Sequence, residues 1–377
     1  MNLQQKLLQW FHKNQRPLPW RKHYRPYEVW ISEIMLQQTQ VETALPYFKR
    51  WIKQFPNIES LAESDERKVL KVWEGLGYYS RARNLHQSAK AVMDKYSGAF
   101  PENYEDILAL QGIGEYTAGA IASIAFNQDK PIVDGNVLRV LSRVYAIDKP
   151  IDVSENKKIF WQLEENLIPK GRARFFNQAL MELGALVCTK QNPSCKLCPI
   201  HDFCAAFKQD KVEDYPVRKN KKKMVRVEAA AVVLERNEKY FIHKRPVGKI
   251  MGGLWEFPEW KLEMTTGPAA CGTLPVPRLS LRQAAGGRGL PSGVTHRHFQ
   301  KLSSLAKKDL GLSIGKLEWV GKIKRNYTHH LETLHVFKTV LTGRASIRSN
   351  WPSAWITKKG FKKYPLSSAH AKIAAMI

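Results

Sequence analysis

A chain of 377 residues, 44% of them apolar, is long enough to bury its own core without staples, and its length suggests two domains. Its 60 Lys and Arg against 34 Asp and Glu leave a formal net charge of +26, which points to a polyanionic partner, nucleic acid before membrane. No N-terminal apolar signal region is readable, and no apolar run approaches the ~20 residues of a membrane span, so a soluble, cytoplasmic protein is expected.

From residue 1 to about 205 the apolar residues recur at helical spacing, and this half reads as all-helical. Met1 to Trp20 forms an amphipathic pattern through Leu3, Leu7, Leu8 and Phe11 that runs into a Pro-containing loop. The stretch from Tyr27 to Val41 reads as one helix, with Glu33 among Trp30, Ile34 and Met35, and with Gln37 and Gln38 toward its end. A carboxylate in such a segment is either solvated on the outer face or held in a cleft with a raised pKa, protonated near neutrality and able to act as a general acid.

Leu110 to Ala118 places Gly112 and Gly114 in a tight turn ahead of an Ala- and Ile-rich helix. Glycines there allow close backbone approach, and the N–H groups of the helix start can hold a phosphate, as in a helix-hairpin-helix element. In the run from Pro131 to Val140, Asp134 precedes a new helical pattern. It reads as an N-cap or as a carboxylate held at a cleft, and the two roles are compatible.

Cys188, Cys195, Cys198 and Cys204 are spaced C-x6-C-x2-C-x5-C, and Cys271 is the only other cysteine. Thiolates this close can ligate one soft metal centre, either zinc or an iron–sulfur cluster, and most such clusters serve the fold. Residues 208–226 then turn to charge, centred on Lys219 to Lys223, and read as a basic linker able to lie along phosphates.

Beyond 227 the period changes. Val227 to Leu234 and Tyr240 to Lys244 read as strands joined by a polar Asn-containing turn, with further strands at 317–323 and 333–341, so the second domain is mixed α+β. From Thr265 to His298 there is no Lys, Asp, Glu or Phe, Tyr or Trp, while Gly, Ala, Pro and Arg abound. That stretch reads as a poorly packed loop or as a segment translated in another frame.

The order of these motifs resembles the adenine DNA glycosylase (MutY) family. The wider helix-hairpin-helix glycosylase superfamily shares the hairpin, the aspartate and the cysteine cluster, and the Ser32-Glu-Ile-Met-Leu-Gln-Gln-Thr-Gln-Val41 segment narrows the choice. The resemblance implies an all-α glycosylase domain over 1–207, with a 4Fe–4S cluster in the loop 188–204. The linker 208–226 follows, and then an α+β Nudix-like domain over 227–377, flagged by Gly252-Gly-Leu-Trp-Glu-Phe-Pro258.

The implied activity is excision of adenine mispaired with 8-oxoguanine or guanine in double-stranded DNA, by a monomer, after the base is flipped out of the stack. By match to the family motifs, Glu33 would protonate adenine N7. Asp134 would stabilise the oxocarbenium-like sugar, its charge favoured by the N–H groups of the helix start, and Asn136 would help place the groups. Tyr116 stands where bifunctional relatives carry a nucleophilic lysine, which implies a mainly monofunctional enzyme.

Trp20, Arg21, Leu36, Val41 and Gln178 match the adenine pocket, and Gln38 and Tyr78 match residues that wedge into the duplex. Gly112, Gly114, Lys190 and Lys196 would meet the DNA backbone. Thr328 and His329 fall where the family reads 8-oxoguanine. Two features depart from the pattern. Gln111 replaces the usual hairpin proline, and no Nudix hydrolase box follows Pro258, so nucleotide hydrolysis is not expected. The competing readings are an endonuclease III-like glycosylase/lyase acting on oxidised pyrimidines and a non-catalytic iron–sulfur DNA-binding protein.

Overall fold

A computed structural model describes residues 1–219, 224–246, 248, 251–266, 296–327, 330–342 and 346–377. Thr328, His329, Cys271 and most of the 265–298 stretch lie outside the described residues. The chain divides into two compact units, residues 1–65 with 81–221 and residues 66–80 with 222–377.

The helices of the N-terminal half follow in order: α1 (Leu3–Asn14), α2 (Pro26–Leu36), α3 (Val41–Gln54), α4 (Ile58–Ala62), α5 (Glu66–Trp73), α6 (Ser80–Tyr96), α7 (Tyr104–Leu108), α8 (Glu115–Phe126), α9 (Gly135–Val144), α10 (Lys157–Leu167), α11 (Ala173–Leu186) and α12 (Ala205–Lys208). In α1, Leu3, Leu7, Leu8 and Phe11 form one buried stripe that joins Val140 and Leu141 of α9 and Phe176, Leu180 and Leu183 of α11 in a single core. Between α7 and α8 the chain makes the glycine hairpin. Gly112 sits at φ +81°, and an added Cβ would come 2.5 Å from the Asn84 side chain, so both backbone and space demand glycine there.

Two expectations need correction. The segment from Tyr27 to Val41 is not one helix. It breaks at residues 37–40, where Gln38 takes a left-handed φ of 58° and Arg81 Nη1 captures the carbonyls of Ile34, Met35 and Gln37 at 2.7, 3.1 and 2.7 Å. Much of the expected linker is also docked. Ile151 N–H donates to Val217 O at 3.0 Å, Lys219 N–H to Asp152 Oδ1 at 2.9 Å, and Arg143 Nε reaches the carbonyls of Val212 and Tyr215.

In the second unit a mixed sheet comprises β1 (Val225–Arg236), β2 (Lys239–Lys244), β3 (Trp255–Glu256), β4 (Glu259–Thr266), β5 (Glu318–Tyr327), β6 (His330–Val340) and β7 (Ser353–Thr357). Strand β1 is central. It pairs parallel with β6 along residues 225–235 and antiparallel with β4 along residues 225–231. Its alternate side chains serve two cores. Ala229, Ala231 and Val233 pack toward Ala369 and Ile373 of α14 (Ser368–Met376), and Ala230, Val232 and Leu234 pack toward Leu302, Ala306 and Leu310 of α13 (His296–Leu310). A strand covered on both faces reads as an unbroken apolar run, which is why the Ala and Val stretch is so legible.

The turn between β1 and β2 has Asn237 and Glu238 both at positive φ, as a tight hairpin turn requires. Helix α5 belongs to this unit because Lys71 Nζ donates to Tyr364 O (3.2 Å), Glu74 accepts from Leu366 N–H (2.9 Å) and Tyr79 OH donates to Leu366 O (3.3 Å). β4 runs on to Thr266 and α13 starts at His296, so the ends of the 265–298 stretch carry regular structure that composition does not announce.

Candidate active site

Helix α2 is apolar on nearly every side, with Tyr27, Val29, Trp30, Ile31, Ile34 and Met35 buried. Such a helix belongs in the middle of a domain, so Glu33 is drawn out of water by its position, leaving it 4% exposed. Tyr116, on the first turn of α8, donates its hydroxyl hydrogen to Glu33 Oε2 at 3.0 Å. Burial pushes the Glu33 carboxyl up to about 7. The Tyr116 hydrogen bond opposes that rise, neighbouring Asp134 adds to it, and Arg21 opposes it. The Tyr116 hydroxyl itself is pushed well above its ordinary range by burial and then by Glu33 and Asp134, which keeps it a donor.

Asp134 caps α9. Its Oδ1 accepts from the N–H groups of Asn136 (2.8 Å) and Val137 (2.7 Å), and its Oδ2 accepts from Asn136 Nδ2 at 2.8 Å. Burial nonetheless raises Asp134 above its ordinary value, and the cap hydrogen bonds and Arg139 temper the shift without reversing it. The helix start therefore favours the charge less than its position in the sequence implies.

Arg21 acts on this centre through its charge. Its Nε donates to Gln178 Oε1 at 2.9 Å and its Nη2 to Glu182 Oε2 at 2.9 Å. Trp20 is buried beside it, edge-on to the Phe48 ring at 4.9 Å between centroids. Leu36 and Val41, both half-buried, flank the break between α2 and α3, where Gln38 is exposed and Gln37 Nε2 donates to Thr117 Oγ1 at 3.1 Å. Gly112 and Gly114 are exposed on the hairpin. Tyr78, 49% exposed, belongs to the second compact unit.

Sequence reading passed over Glu182, one turn beyond Gln178 on the same face of α11. It is 1% exposed and also takes Arg16 Nε and Nη2 at 2.8 and 3.0 Å. Burial pushes its carboxyl up, but the Arg16 and Arg21 hydrogen bonds prevail and bring it to about 2. Arg139 is a second omission. Its Nη2 bonds Asn136 Oδ1 (2.9 Å) and Gly184 O (2.7 Å), and its Nε bonds Cys188 O (2.7 Å), so it ties the Asp134 cap to the cysteine loop.

Cys188, Cys195, Cys198 and Cys204 line one cavity together with Arg143, Leu183 and Ile200. Arg143, 2% exposed, donates to Cys188 Sγ at 3.3 Å and to Thr189 O at 2.7 Å. Burial raises the Cys195, Cys198 and Cys204 thiols, and the neighbouring sulfurs raise them further, Cys198 to about 12. Four cysteines lining one cavity with apolar side chains and one guanidinium offer a donor set whose chemistry suits a thiolate-ligated metal centre. Lys190 and Lys196 are exposed on the same loop.

In the second unit, Glu256, Glu259 and His370 bring their ligand atoms within 4.8 Å of one another. His370 Nδ1 accepts from Phe257 N–H (3.2 Å), so Nε2 carries the proton and donates it to Glu259 at 2.9 Å. Arg325 and Arg245 also pair with Glu259, at 2.7 and 3.5 Å. This is an internal ion network whose imidazole nitrogen is already protonated, which disfavours a cation there.

This geometry defines a base-excision glycosylase core followed by a Nudix-type sheet domain, and comparison with known proteins agrees. Residues 31–165 match the HhH-GPD superfamily base excision DNA repair protein, and residues 229–376 match the NUDIX domain. The adenine DNA glycosylase of Buchnera aphidicola subsp. Schizaphis graminum is 41% identical over 263 residues, 70% of this chain and 76% of that protein. The adenine DNA glycosylase of Rattus norvegicus is 33% identical over 420 residues, 97% of this chain and 76% of that protein. A thermostable thymine-DNA glycosylase structure superposes with a TM-score of 0.50 at 28% identity, covering 55% of this chain and 95% of that one. The chain belongs to the adenine DNA glycosylase family, hydrolases that remove adenine from DNA by cleaving its N-glycosyl bond. Among the described residues, no helix is long and apolar enough to cross a membrane.

Proposed function

We propose that this glycosylase excises adenine opposite 8-oxoguanine or guanine, acting as a monomer on double-stranded DNA in the cytoplasm. Glu33 is the general acid and Asp134 the stabilising anion. The observation that carries the reading is the pairing of a buried Glu33, raised to about 7 and held by Tyr116, with a nearby Asp134 that accepts three hydrogen bonds. A carboxyl poised near neutrality can hand its proton to adenine N7 and make the base a neutral leaving group. As the bond breaks, positive charge grows on the sugar, and a carboxylate held rigidly by Asn136 and the α9 start can face it without reorganising.

Arg21, bonded to both Gln178 and Glu182, forms with Gln178 the polar side of the pocket for the flipped base, with Trp20, Leu36 and Val41 on its apolar side. Gln38 and Tyr78 act as duplex wedges. Tyr116 cannot form a Schiff base, so strand cleavage is minor. Cys188, Cys195, Cys198 and Cys204 hold a 4Fe–4S cluster that keeps Lys190 and Lys196 presented to phosphates, and the hairpin glycines Gly112 and Gly114 also meet the DNA backbone. Thr328 and His329 read the 8-oxoguanine.

The test is single-turnover excision on duplexes with A opposite 8-oxoguanine and A opposite guanine. Glu33→Gln should reduce excision at least a thousandfold on both while mispair binding stays within about threefold. Unchanged excision would refute the acid assignment. Equal excision from a fully paired A:T duplex would refute the mispair assignment.

A further inference from the structure

The segment 127–134 that links α8 to α9 has no regular structure, yet it delivers Asp134. Backbone without a ladder needs its polar groups satisfied by side chains; two surrounding helices supply them and a third makes room for the segment. From α11, Asn177 Nδ2 donates to Lys130 O at 2.8 Å. From α8, Gly119 lets Pro131 O approach so closely that a Cβ would lie 2.3 Å from it. From α10, Glu164 Oε2 accepts from Ile132 N–H at 2.7 Å. Glu164, Ile132 and Asn177 are each 0% exposed.

We infer that Glu164 is a positioning residue for the reaction: as a neutral carboxylic acid accepting from Ile132 N–H, it fixes, with Asn177, the segment that carries Asp134. Glu164 Oε1 is buried and has no protein hydrogen-bond partner, which costs a neutral acid far less than a carboxylate. Burial pushes the Glu164 carboxyl up to about 9, the Ile132 hydrogen bond opposes this, and Asp134 adds to it. Tyr116 also senses its charge. Neutrality matters chemically. A second anion behind Asp134 would disturb the field that divides the roles of Glu33 and Asp134, whereas a protonated acid supplies only the acceptor.

This rests on Asp134 serving as the stabilising anion, so Asp134→Asn is run alongside. Glu164→Gln keeps the acceptor without charge, and single-turnover excision should stay within about twofold of wild type, with the same pH profile from 6 to 8. Glu164→Leu removes the acceptor and should slow excision at saturating enzyme at least about tenfold, with the Kd for the mispaired duplex unchanged, because a small displacement of a reacting group is costly. Asn177→Leu, cut at the neighbouring carbonyl, should show the same split between rate and binding, and it serves if Glu164→Leu does not fold. Normal excision in the folded Leu variants would overturn the inference. So would a Glu164→Gln variant with a displaced pH profile, since that would reveal a charge at position 164. If Asp134→Asn itself excises normally, the assignment of Asp134 fails instead.

Discussion

The Tyr116 hydroxyl lies 3.0 Å from Glu33 Oε2 and has that carboxyl as its acceptor, so one hydrogen bond joins the start of α8 to the middle of α2. Donation to a carboxylate favours its ionised form, and this bond holds Glu33 below the value that burial alone would set. Tyr116→Phe should therefore move the alkaline limb of the pH–rate profile for excision to higher pH, with the rate below the limb falling no more than about tenfold for one lost hydrogen bond. Single-turnover rates between pH 5.5 and 9 would show it. A limb moving to lower pH would contradict the assignment.

Glu33 also links stability to pH. Its folded value of about 7 lies above the unfolded value of 4.5. The unfolded chain thus releases this proton first as pH rises, and stability present below pH 4.5 is lost as pH climbs through about 7. Glu33→Gln should unfold at the same temperature as wild type at pH 4 and roughly 5 °C higher at pH 8, where the buried carboxylate penalty is gone. Calorimetry of the helical unit's transition at the two pH values distinguishes this from a general stabilisation.

Glu182 neutralises two arginines at once, with side chains of Arg16 and Arg21 only 27% and 10% exposed. Glu182→Leu strands both guanidinium groups and should cost about 3–5 kcal/mol, read as a lower urea midpoint. Gln178 and Arg21 would lose their fixed geometry, so the same variant should bind an abasic-product duplex normally while excising adenine slowly.

The setting of Glu33 was legible because a carboxylate set among Trp30, Ile34 and Met35 stands out, and β1 was legible because both of its faces are covered. Arg81, Glu164 and Glu182 were not, because each takes its meaning from partners 47, 32 and 166 residues away, and no local pattern encodes such distances. The short strand β3, two residues long, and β4, which runs into the compositional break at 265, lack the length that makes alternation readable. The break at 37–40 was hidden because a helix end capped by a distant arginine needs no glycine or proline.

The four sulfurs make a direct prediction about colour. The purified protein should absorb broadly near 400 nm, and Cys198→Ala should abolish that band and lower the thermal midpoint of the helical unit. A colourless wild-type protein with stoichiometric zinc would replace the iron–sulfur assignment.

Lys190→Glu combined with Lys196→Glu should weaken binding to every duplex alike and reduce the slope of log Kd against log salt by roughly one to two, one per lost phosphate contact. Titrations between 50 and 300 mM salt measure it. An unchanged slope with lost mispair preference would assign these lysines to lesion reading instead.

The parallel pairing of β1 with β6 has a consequence for synthesis. The central strand leaves the ribosome about a hundred residues before its neighbour along residues 330–340, so for several seconds that edge of β1 has no partner. A message truncated in that interval would yield a helical unit with its core residues in place, trailed by an apolar strand with an open edge. Such fragments should be insoluble for reasons unrelated to adenine, and their loss of repair would reflect aggregation rather than a damaged active site.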